Sequence, residues 1–477
     1  MNNALSGWDD TIVALATPPG VGAIGVIRLS GPLAFSILDK LTPGKKISTK
    51  PSHTLHFARI MQAGQVLDEV VVSLYRSPRS YTGEDVIEIS CHGSTYILQE
   101  IVSLCVRYGA RNAHPGEFTQ RAFLNGKMDL AQAEAVADLI NAETRAAQRA
   151  AMNQMRGGFS GKLSALREQL INFAALIELE LDFSEEDVEF ANRASLKKLV
   201  REISEETAGL IQSFQLGNVV KNGVRVAIIG KPNAGKSTLL NALLNEERAI
   251  VSDIPGTTRD TIEEVLNIKG ILFRLIDTAG IRQHSSDEIE NLGMDRSRMN
   301  AEKADLILYL SDMTDRDDEY EEGKDGDDDG EGEFVKGMAW LKPFRNKVLI
   351  VSTKFDLWMK MMNDMRIDPV PDFSKNIVSA RDGFGIPQLK SKMFEIAVAA
   401  GSERQAHIVT NVRHYEALKR MQESLLSIKK GLKEGISGDL LASDIRNCLY
   451  HLGTITGQVE IDRDILGTIF GKFCIGK

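Results

Sequence analysis

The sequence predicts a multidomain protein with α/β and α parts, in which an α/β domain is inserted into a discontinuous helical domain. Three patterns predict this class. Short β-branched segments broken by Pro and Gly fill residues 1–125, helical spacing fills 126–217 and returns over 401–477, and strands alternate with helices over 218–400. Such alternation is typical of a parallel-rich sheet flanked by helices. The length of 477 residues also exceeds what one core usually serves.

Individual elements follow from local patterns. Within the first domain we expect strands near 11–15, 23–29, 70–75 and 86–90. Apolar residues recur at helical spacing over 163–177, 418–432 and 441–452. Two helical blocks on either side of a complete α/β unit suggest an insertion, although three domains in a row would give the same periodicity.

Composition bounds the possible function classes. Residues 315–333 carry twelve acidic and two basic residues, so this segment has a net charge of −10 and the rest of the chain is near +1, against −9 overall. We expect the segment to be a solvated, disordered loop. A near-neutral body neither indicates nor excludes a nucleic-acid surface.

Cysteine usage and hydropathy bear on location. The cysteines show no CxxC spacing, which indicates reduced thiols in a cytoplasmic protein. The first ten residues lack a basic and an apolar region, so we expect no signal peptide. No apolar run is long enough to span a bilayer, so we expect no membrane association. The four cysteines are Cys91, Cys105, Cys448 and Cys474.

The most specific motif is Gly230-Lys-Pro-Asn-Ala-Gly-Lys-Ser237, which matches the G-x-x-x-x-G-K-[ST] pattern of a phosphate-binding loop. An apolar run over 224–229 precedes it, and an amphipathic run begins at Thr238. In that context the backbone N–H groups and the helix N-terminus face the phosphates. Lys236 would neutralise β/γ charge, and Ser237 would hold Mg²⁺.

Two motifs downstream supply the switch regions of a GTP-binding domain. Gly256-Thr-Thr-Arg-Asp260 offers a second Mg²⁺ hydroxyl, Thr258. Asp277-Thr-Ala-Gly280 ends an apolar strand, so Asp277 would sit near the magnesium and Gly280 would sense the γ-phosphate.

Two further motifs would select guanine. Thr353-Lys-Phe-Asp356 follows the buried strand 348–351, and its carboxylate can pair with the guanine N1 and N2 donors. Ser379-Ala380 would meet guanine O6 through a backbone N–H. Five motifs in order predict a Ras-like P-loop G domain that binds GTP. The residues predicted to bind GTP are Asn233, Ala234, Gly235, Lys236, Ser237, Thr238, Ser252, Asp253, Ile254, Pro255, Gly256, Thr257, Thr258, Asp277, Thr278, Ala279, Gly280, Thr353, Lys354, Asp356, Ser379, Ala380 and Arg381.

The residue that positions the attacking water is not evident from these motifs. Ile281 follows Gly280, where Ras-like proteins place a Gln, and an isoleucine cannot orient water. Asp287, Glu288 and Glu290 are candidates to replace it, although a solvated switch face would carry the same carboxylates.

At this point the chain resembles the tRNA modification GTPase family MnmE, also called TrmE. The resemblance covers nearly the whole chain. Besides the motifs above it rests on Tyr81-Thr-Gly-Glu-Asp-Val86, His114-Pro-Gly-Glu-Phe118, Phe123-Leu-Asn-Gly-Lys-Met-Asp-Leu130 and Phe473-Cys-Ile-Gly-Lys477. It implies a folate-binding, dimerising N-terminal domain (1–125), a helical domain in two parts (126–217 and 401–477) and a potassium-activated G domain (218–400).

The resemblance also implies partners and chemistry. A homodimer would act with the flavoprotein MnmG as a heterotetramer on the wobble uridine of certain tRNAs. The product would be a carboxymethylaminomethyl or aminomethyl-type modification. The one-carbon unit would come from 5-formyltetrahydrofolate or a related tetrahydrofolate.

Site residues carry over by position. Asn233 and the backbone at Ser252, Ile254 and Thr257 would cradle K⁺, and Glu290 falls where the family has its water-positioning glutamate. Cys474 would be either a nucleophile near the one-carbon donor or a tail residue that positions the terminus. The positions implied for folate are Arg28, Glu88, Lys127 and Lys477.

Two departures and two other classes remain open. Thr353 stands where the family has Asn, which puts base affinity or loop bracing in doubt, and the acidic loop is longer than expected. A ribosome-assembly switch of the Era or Der type would need neither the first 125 residues nor the Cys-Ile-Gly-Lys tail. A dynamin-like membrane GTPase would need an exposed apolar or basic helix, which neither helical block shows clearly.

Overall fold

Two compact units make up the protein in this computed structural model. The first comprises residues 1–141, 151–207 and 416–477, and the second comprises 142–150 and 208–415, so the chain leaves the first unit and later returns to it. The residues that the structure describes are 9–182, 193–247, 264–276, 290–315, 339–366, 376–399, 408–434, 436, 438–458, 466, 469–471 and 473–476.

A six-stranded sheet forms the centre of the first unit, in the order β3-β4-β5-β2-β1-β6. All neighbours are antiparallel except β1 and β6, which are parallel. Apolar side chains of these strands pack on α1 and α2, because alternate positions along each strand face the same side. The strands are β1 Thr11–Leu15, β2 Ile24–Ser30, β3 Thr54–Gln62, β4 Gln65–Tyr75, β5 Val86–His92 and β6 Ala110–Asn112. The first helices are α1 Ala34–Leu41, α2 Thr95–Arg107 and α3 Glu117–Leu124, with a 3₁₀ turn at Ile47–Thr49.

Long helices follow this sheet. The first begins with a capping box, since the Asp129 carboxylate accepts from the Gln132 N–H and the Gln132 side chain accepts from the Asp129 N–H. Leu130 of this helix packs with Phe470 and Phe473, so the C-terminal segment joins the same core. The helices are α4 Leu130–Ile140, α5 Arg145–Met155, α6 Gly158–Asp182, α7 Arg193–Asn222, α12 Val412–Glu434 and α13 Gly438–Thr456.

The second unit is built on another six-stranded sheet, in the order β12-β11-β10-β7-β9-β8. Its neighbours are parallel except β8 and β9, which are antiparallel. Helices α8 and α11 pack on one face, and α9 packs on the other with a 3₁₀ segment at Ala339–Lys347. The strands are β7 Val224–Gly230, β8 Glu264–Ile268, β9 Ile271–Leu275, β10 Leu306–Asp312, β11 Val348–Thr353 and β12 Asn376–Ile377. The helices are α8 Lys236–Glu247, α9 Glu290–Lys303, α10 Phe355–Asp364 and α11 Ile386–Ala399.

The four strands predicted in the first domain are confirmed as β1, β2, β4 and β5. Strand β3 is missing from the prediction. Its apolar residues Leu55 and Phe57 lie on the exposed face, so the sequence lacks the regular alternation of apolar and polar residues that marks a half-buried strand. The three predicted domain boundaries, after residues 125, 217 and 400, stay predictions. The acidic segment 315–333 lies outside the described residues except for Asp315. Within the described residues, no helix is long and apolar enough to cross a membrane.

Candidate functional site

The glycine loop lies between the end of β7 and the start of α8. A Cβ on Gly230 would lie 2.7 Å from the Leu310 carbonyl oxygen, so the close approach of β10 requires glycine there. Asn233 and Gly235 have φ values of 64° and 90°, which belong to the left-handed region. These two residues turn the backbone at the helix N-terminus, where N–H groups can bind an anion.

Lys236 lies at the first position of α8 and reaches back across the loop. Its Nζ donates to the carbonyl oxygens of Gly230 and Lys231, both at 2.7 Å. Burial lowers the pKa of Lys236, because desolvation disfavours the ammonium form. A bound phosphate would offset that penalty, so the lysine and the loop fit a polyphosphate. Ser237 follows half-buried in the same turn, where a hydroxyl could serve Mg²⁺.

Thr353, which stands where the family pattern has Asn, contacts the glycine loop through its side chain. Its buried hydroxyl lies 2.9 Å from the Ala234 carbonyl oxygen and 3.2 Å from that of Ser311. The threonine at the end of β11 therefore ties the glycine loop to β10. In this chain a hydroxyl, rather than an amide, braces the loop.

The predicted guanine-recognition residues come together at the ends of β11 and β12. Lys354 has a φ of 60°, and its Nζ pairs with an Asp312 carboxylate oxygen at 2.6 Å. Although burial raises the pKa of Asp312, its bonds with Lys354 and with Thr314 bring the net value below normal. Asp356 accepts a hydrogen bond from the Ser379 hydroxyl at 3.0 Å.

The backbone hydrogen bonds at Ser379 show which N–H group can donate to guanine O6. The Ser379 N–H donates to the Phe384 carbonyl oxygen at 3.0 Å, which leaves the N–H of Ala380 as the candidate. Phe355 stacks on Phe384 with ring centroids 4.9 Å apart and stiffens the same loop. Arg381 is exposed beside it. Composition and motifs did not indicate this aromatic pair, because Phe384 carries no motif of its own.

Several predicted residues fall outside the description. Glu290 begins α9, but its side chain is not described. Of the proposed K⁺ and Mg²⁺ ligands, Asn233 and Ser237 are described. The other predicted residues outside the description are Ser252, Asp253, Ile254, Pro255, Gly256, Thr257, Thr258, Asp277, Thr278, Ala279, Gly280, Asp287, Glu288 and Lys477.

A second cluster forms on the sheet of the first unit. Arg28 and Glu88 lie opposite each other on β2 and β5, and their side chains pair at 2.7 Å. The arginine side chain is only 15% exposed, so this pair is shielded from solvent. Arg28 also donates to the Gly476 carbonyl oxygen at 3.3 Å. The C-terminal tail therefore contacts Arg28, one of the residues predicted for folate.

Aromatic rings surround the arginine. The Arg28 guanidinium lies 5.5 Å from the Tyr81 ring centroid and 5.6 Å from that of Phe118. Tyr81 bonds to the Thr119 hydroxyl at 2.8 Å, and burial raises its pKa. Sequence reasoning assigned neither ring a role, although both stand in the motifs that carry the family resemblance.

Lys127 lies in a cleft next to this cluster. The cleft has a volume of about 470 Å³, and Tyr81 is common to the cleft and to the Arg28 cluster. Lys127 donates to the Pro78 carbonyl oxygen at 2.9 Å. A lysine, an arginine and three hydroxyl groups line this cleft. This set of groups fits a ligand that carries both a polar ring and an anionic tail. The cleft is lined by His53, Tyr75, Arg79, Ser80, Tyr81 and Lys127.

The tail cysteine differs from the other three. Cys474 is exposed, whereas Cys91, Cys105 and Cys448 are buried. Burial raises the pKa of Cys91 to about 11 and those of Cys105 and Cys448 to about 12, so these thiols resist ionisation. The reactive role of Cys474 stays a prediction.

A parallel-rich sheet flanked by helices, with a lysine-bearing glycine loop and a guanine-type Lys-x-Asp cluster, defines a P-loop GTPase. Two family models match the chain: the MnmE helical domain over residues 130–474, and the GTP-binding protein TrmE N-terminus over residues 11–127. The chain belongs to the MnmE family of tRNA modification GTPases. The expected family and fold class are thereby confirmed.

Curated relatives match over the full length. A protein of Cytophaga hutchinsonii is 51% identical over 98% of both chains. Proteins of Christiangramia forsetii and Flavobacterium johnsoniae are each 49% identical over 98% of this chain and 99% of their own. All three are named tRNA modification GTPase MnmE. Among solved structures, the G domain of a T. maritima FeoB iron transporter is 22% identical over 36% of this chain and 98% of its own, with a TM-score of 0.22, too low to support an argument.

Proposed function

We propose that this chain is a potassium-activated GTPase that modifies the wobble uridine of certain tRNAs together with the flavoprotein MnmG. The modification is of the carboxymethylaminomethyl or aminomethyl type and uses a one-carbon unit from 5-formyltetrahydrofolate or a related tetrahydrofolate. The observation that carries the proposal is the presence, in one chain of this family, of both a braced phosphate loop and the shielded Arg28–Glu88 pair at the tail. A ribosome-assembly switch would need only the phosphate loop.

The GTP site supports the first half of this proposal. Lys236 offsets phosphate charge, and Ser237 with Thr258 holds Mg²⁺, which neutralises the developing charge on the phosphoryl oxygens. Thr353 keeps the loop in place through Ala234 while the nucleotide exchanges. Asp356 and the Ala380 N–H read the base.

K⁺ takes the part that an arginine finger plays in other GTPases. Asn233 would bind it together with the backbone at Ser252, Ile254 and Thr257. A cation held by these residues would supply positive charge that stabilises the charge developing on the phosphates in the transition state. The left-handed φ of Asn233 supports this role, because asparagine is one of the few side chains that accept this conformation and also offer an oxygen.

The ion dependence of hydrolysis tests this site. GTP turnover in K⁺ should exceed turnover in Na⁺ by roughly tenfold or more at matched ionic strength, since tenfold needs only about 1.4 kcal/mol of transition-state stabilisation. Asn233→Gly keeps the left-handed backbone but removes the oxygen, so it should lose the K⁺ response and still bind GTP. Asn233→Asp keeps an oxygen and serves as the matched control. Equal rates of the unmodified protein in both ions would refute the potassium site.

The cluster around Arg28 and Glu88 supports the second part of the proposal, the use of a folate one-carbon unit. The Glu88 carboxylate can accept from the amino and ring N–H donors of a pterin, and Lys127 suits a glutamyl carboxylate or a formyl oxygen. Tyr81, which lines the cleft, supplies apolar surface for a planar ring, and the buried Phe118 packs behind Arg28. Lys477 would complete the site from the tail.

Folate binding separates this function from that of a switch GTPase. Glu88→Gln and Arg28→Met should each weaken binding of 5-formyltetrahydrofolate by roughly 10- to 100-fold in calorimetry, as expected for loss of a charged hydrogen bond. Arg59 and Glu69 form an exposed pair at 2.8 Å on the same sheet, so Arg59→Met and Glu69→Gln provide matched controls. Undiminished binding in the Arg28 and Glu88 variants would remove folate from this cluster.

Assembly completes the proposal. The protein acts as a homodimer that forms a heterotetramer with MnmG and binds tRNA as substrate. GTP and K⁺ bring two G domains together, and hydrolysis lets them separate. The one-carbon chemistry takes place away from the GTP site. Hydrolysis therefore drives a conformational cycle of the complex rather than the one-carbon transfer itself.

A further inference from the structure

A basic cleft lies in the first unit between helices α7 and α12. Its volume is about 560 Å³, and of the seven described residues that line it five are cations and two are apolar. Val200 and Leu432 form a largely buried floor, and the charged ends of the basic side chains stand in solvent around it. The seven residues are Lys197, Lys198, Val200, Arg201, Lys429, Leu432 and Lys433.

Local helix energetics does not account for this concentration of charge. Lys433 stands in the last turn of α12, where a cation interacts favourably with the helix dipole. Lys197, Lys198 and Arg201 stand near the beginning of α7, where the dipole gives them no such advantage. Five like charges around one cleft repel one another, so the arrangement fits a cleft that receives an anion.

Acidic neighbours neutralise the cleft only weakly. Lys198 and Glu202 are 3.9 Å apart and Arg201 and Glu205 are 3.7 Å apart, and all four side chains are more than half exposed. Exposed pairs of this kind contribute little. With respect to the residues that the structure describes, Lys197, Lys429 and Lys433 form no ion pair. The positive potential therefore remains available to a ligand.

The lining favours a polyanion over a small molecule. Small-ligand sites combine apolar enclosure with a few buried polar groups that fix orientation. Here the polar groups are exposed, flexible ammonium and guanidinium ends, which suit the repeated phosphates of a nucleic-acid backbone. A structured RNA is recognised largely through its backbone and shape, so such a cleft can hold it without reading bases.

We propose that the cleft between α7 and α12 binds the phosphate backbone of the tRNA substrate, which rests on the proposed function in tRNA modification. The cleft orients the tRNA and contributes affinity, while the choice of the target uridine is made elsewhere. Binding here releases counterions, so the contribution of the cleft decreases as the salt concentration increases.

To test this proposal, tRNA binding is measured by fluorescence anisotropy over a range of salt concentrations. The unmodified full-length chain is compared with a triple variant that carries Lys197→Ala, Lys429→Ala and Lys433→Ala. Each lost phosphate contact should reduce the slope of log K against log [salt] by roughly 0.7–0.9, so the slope should decrease by about 2–3. Affinity at about 0.1 M salt should decrease roughly a hundredfold, and the difference should vanish near 1 M. The corresponding triple Arg variant keeps the charge and should bind like the unmodified protein.

Controls separate this proposal from the function on which it rests. Lys46→Ala, Lys50→Ala and Lys392→Ala together remove the same charge from exposed positions outside the cleft, and this variant should keep its salt slope. Equal affinities and slopes for the cleft variant and the unmodified protein would overturn the proposal and leave the K⁺ and folate results untouched. If the triple Ala variant lost MnmG binding but kept tRNA binding, the proposal would also be overturned, because the cleft would then bind an acidic protein surface rather than RNA.

Discussion

Replacing Glu290 with Ala is expected to slow GTP hydrolysis by roughly 10²- to 10³-fold while GTP binding stays intact, because a positioned base or water-orienting group commonly contributes this much. Ile281 leaves the position after Asp277-Thr-Ala-Gly280 without a polar group, so another residue must orient the attacking water. Glu290 begins α9, at the end of the segment that follows this motif.

Single-turnover hydrolysis and nucleotide affinity, measured in K⁺, would test this expectation. Glu302→Ala removes an exposed carboxylate from the other end of the same helix and is the matched control. Glu290→Gln keeps a group that can orient water but cannot take a proton, so its rate separates positioning from base catalysis. A turnover number for Glu290→Ala equal to that of the unmodified protein would withdraw the assignment.

Replacing Arg121 with Met is expected to destabilise the first unit by roughly 1.5–3 kcal/mol, the typical contribution of a hydrogen bond to a charged group, because Arg111 still pairs with the buried Glu117 at 2.6 Å. Arg121 is 2% exposed and donates to Glu117 at 3.0 Å, and the Glu117 side chain is fully buried. It also bonds to the Asp10 carboxylate at 2.7 Å and pairs with Glu84 at 3.2 Å. One guanidinium thus joins α3 to the residue before β1 and to the turn before β5.

Amide hydrogen exchange in β1 and β2 reports this loss for the affected unit alone. The exposed arginine of the Arg59–Glu69 pair provides the comparison, because Arg59→Met should cost at most about 1 kcal/mol. If the protection of β1 in Arg121→Met matched that of the unmodified protein, the buried network would not support the unit.

The same network sets an acid limit on stability. Burial raises the pKa of Glu117, but bonds from Arg111, the His114 N–H and Arg121 bring the net pKa below its usual 4.5. A carboxylate with a lowered pKa stabilises the fold above its unfolded value and loses that contribution as pH decreases through the folded value. The protection of β1 should therefore decrease below about pH 4.5, and this decrease should be smaller in Arg121→Met.

Local patterns determined much of this protein. The strand before Gly230, the loop, Lys236 and the following helix are consecutive in sequence, so hydrophobic period and motif spacing predict them together. The same reasoning indicated β11 and the Lys354–Asp356 motif, since the buried strand 348–351 is followed directly by these residues. The return to helical spacing after residue 400 also indicated the insertion. All of these signals depend on residues within a few positions of one another.

Only the tertiary structure decided which distant groups meet. Thr353 braces Ala234 across 119 positions, and Arg28 contacts Gly476 across 448, distances over which periodicity carries no information. Likewise, Lys197 and Lys433 are ordinary surface lysines in sequence and become one basic cleft because α7 and α12 pack side by side. Packing of buried apolar faces selects these pairings, and that selection depends on the three-dimensional fit of the whole core rather than on any local pattern.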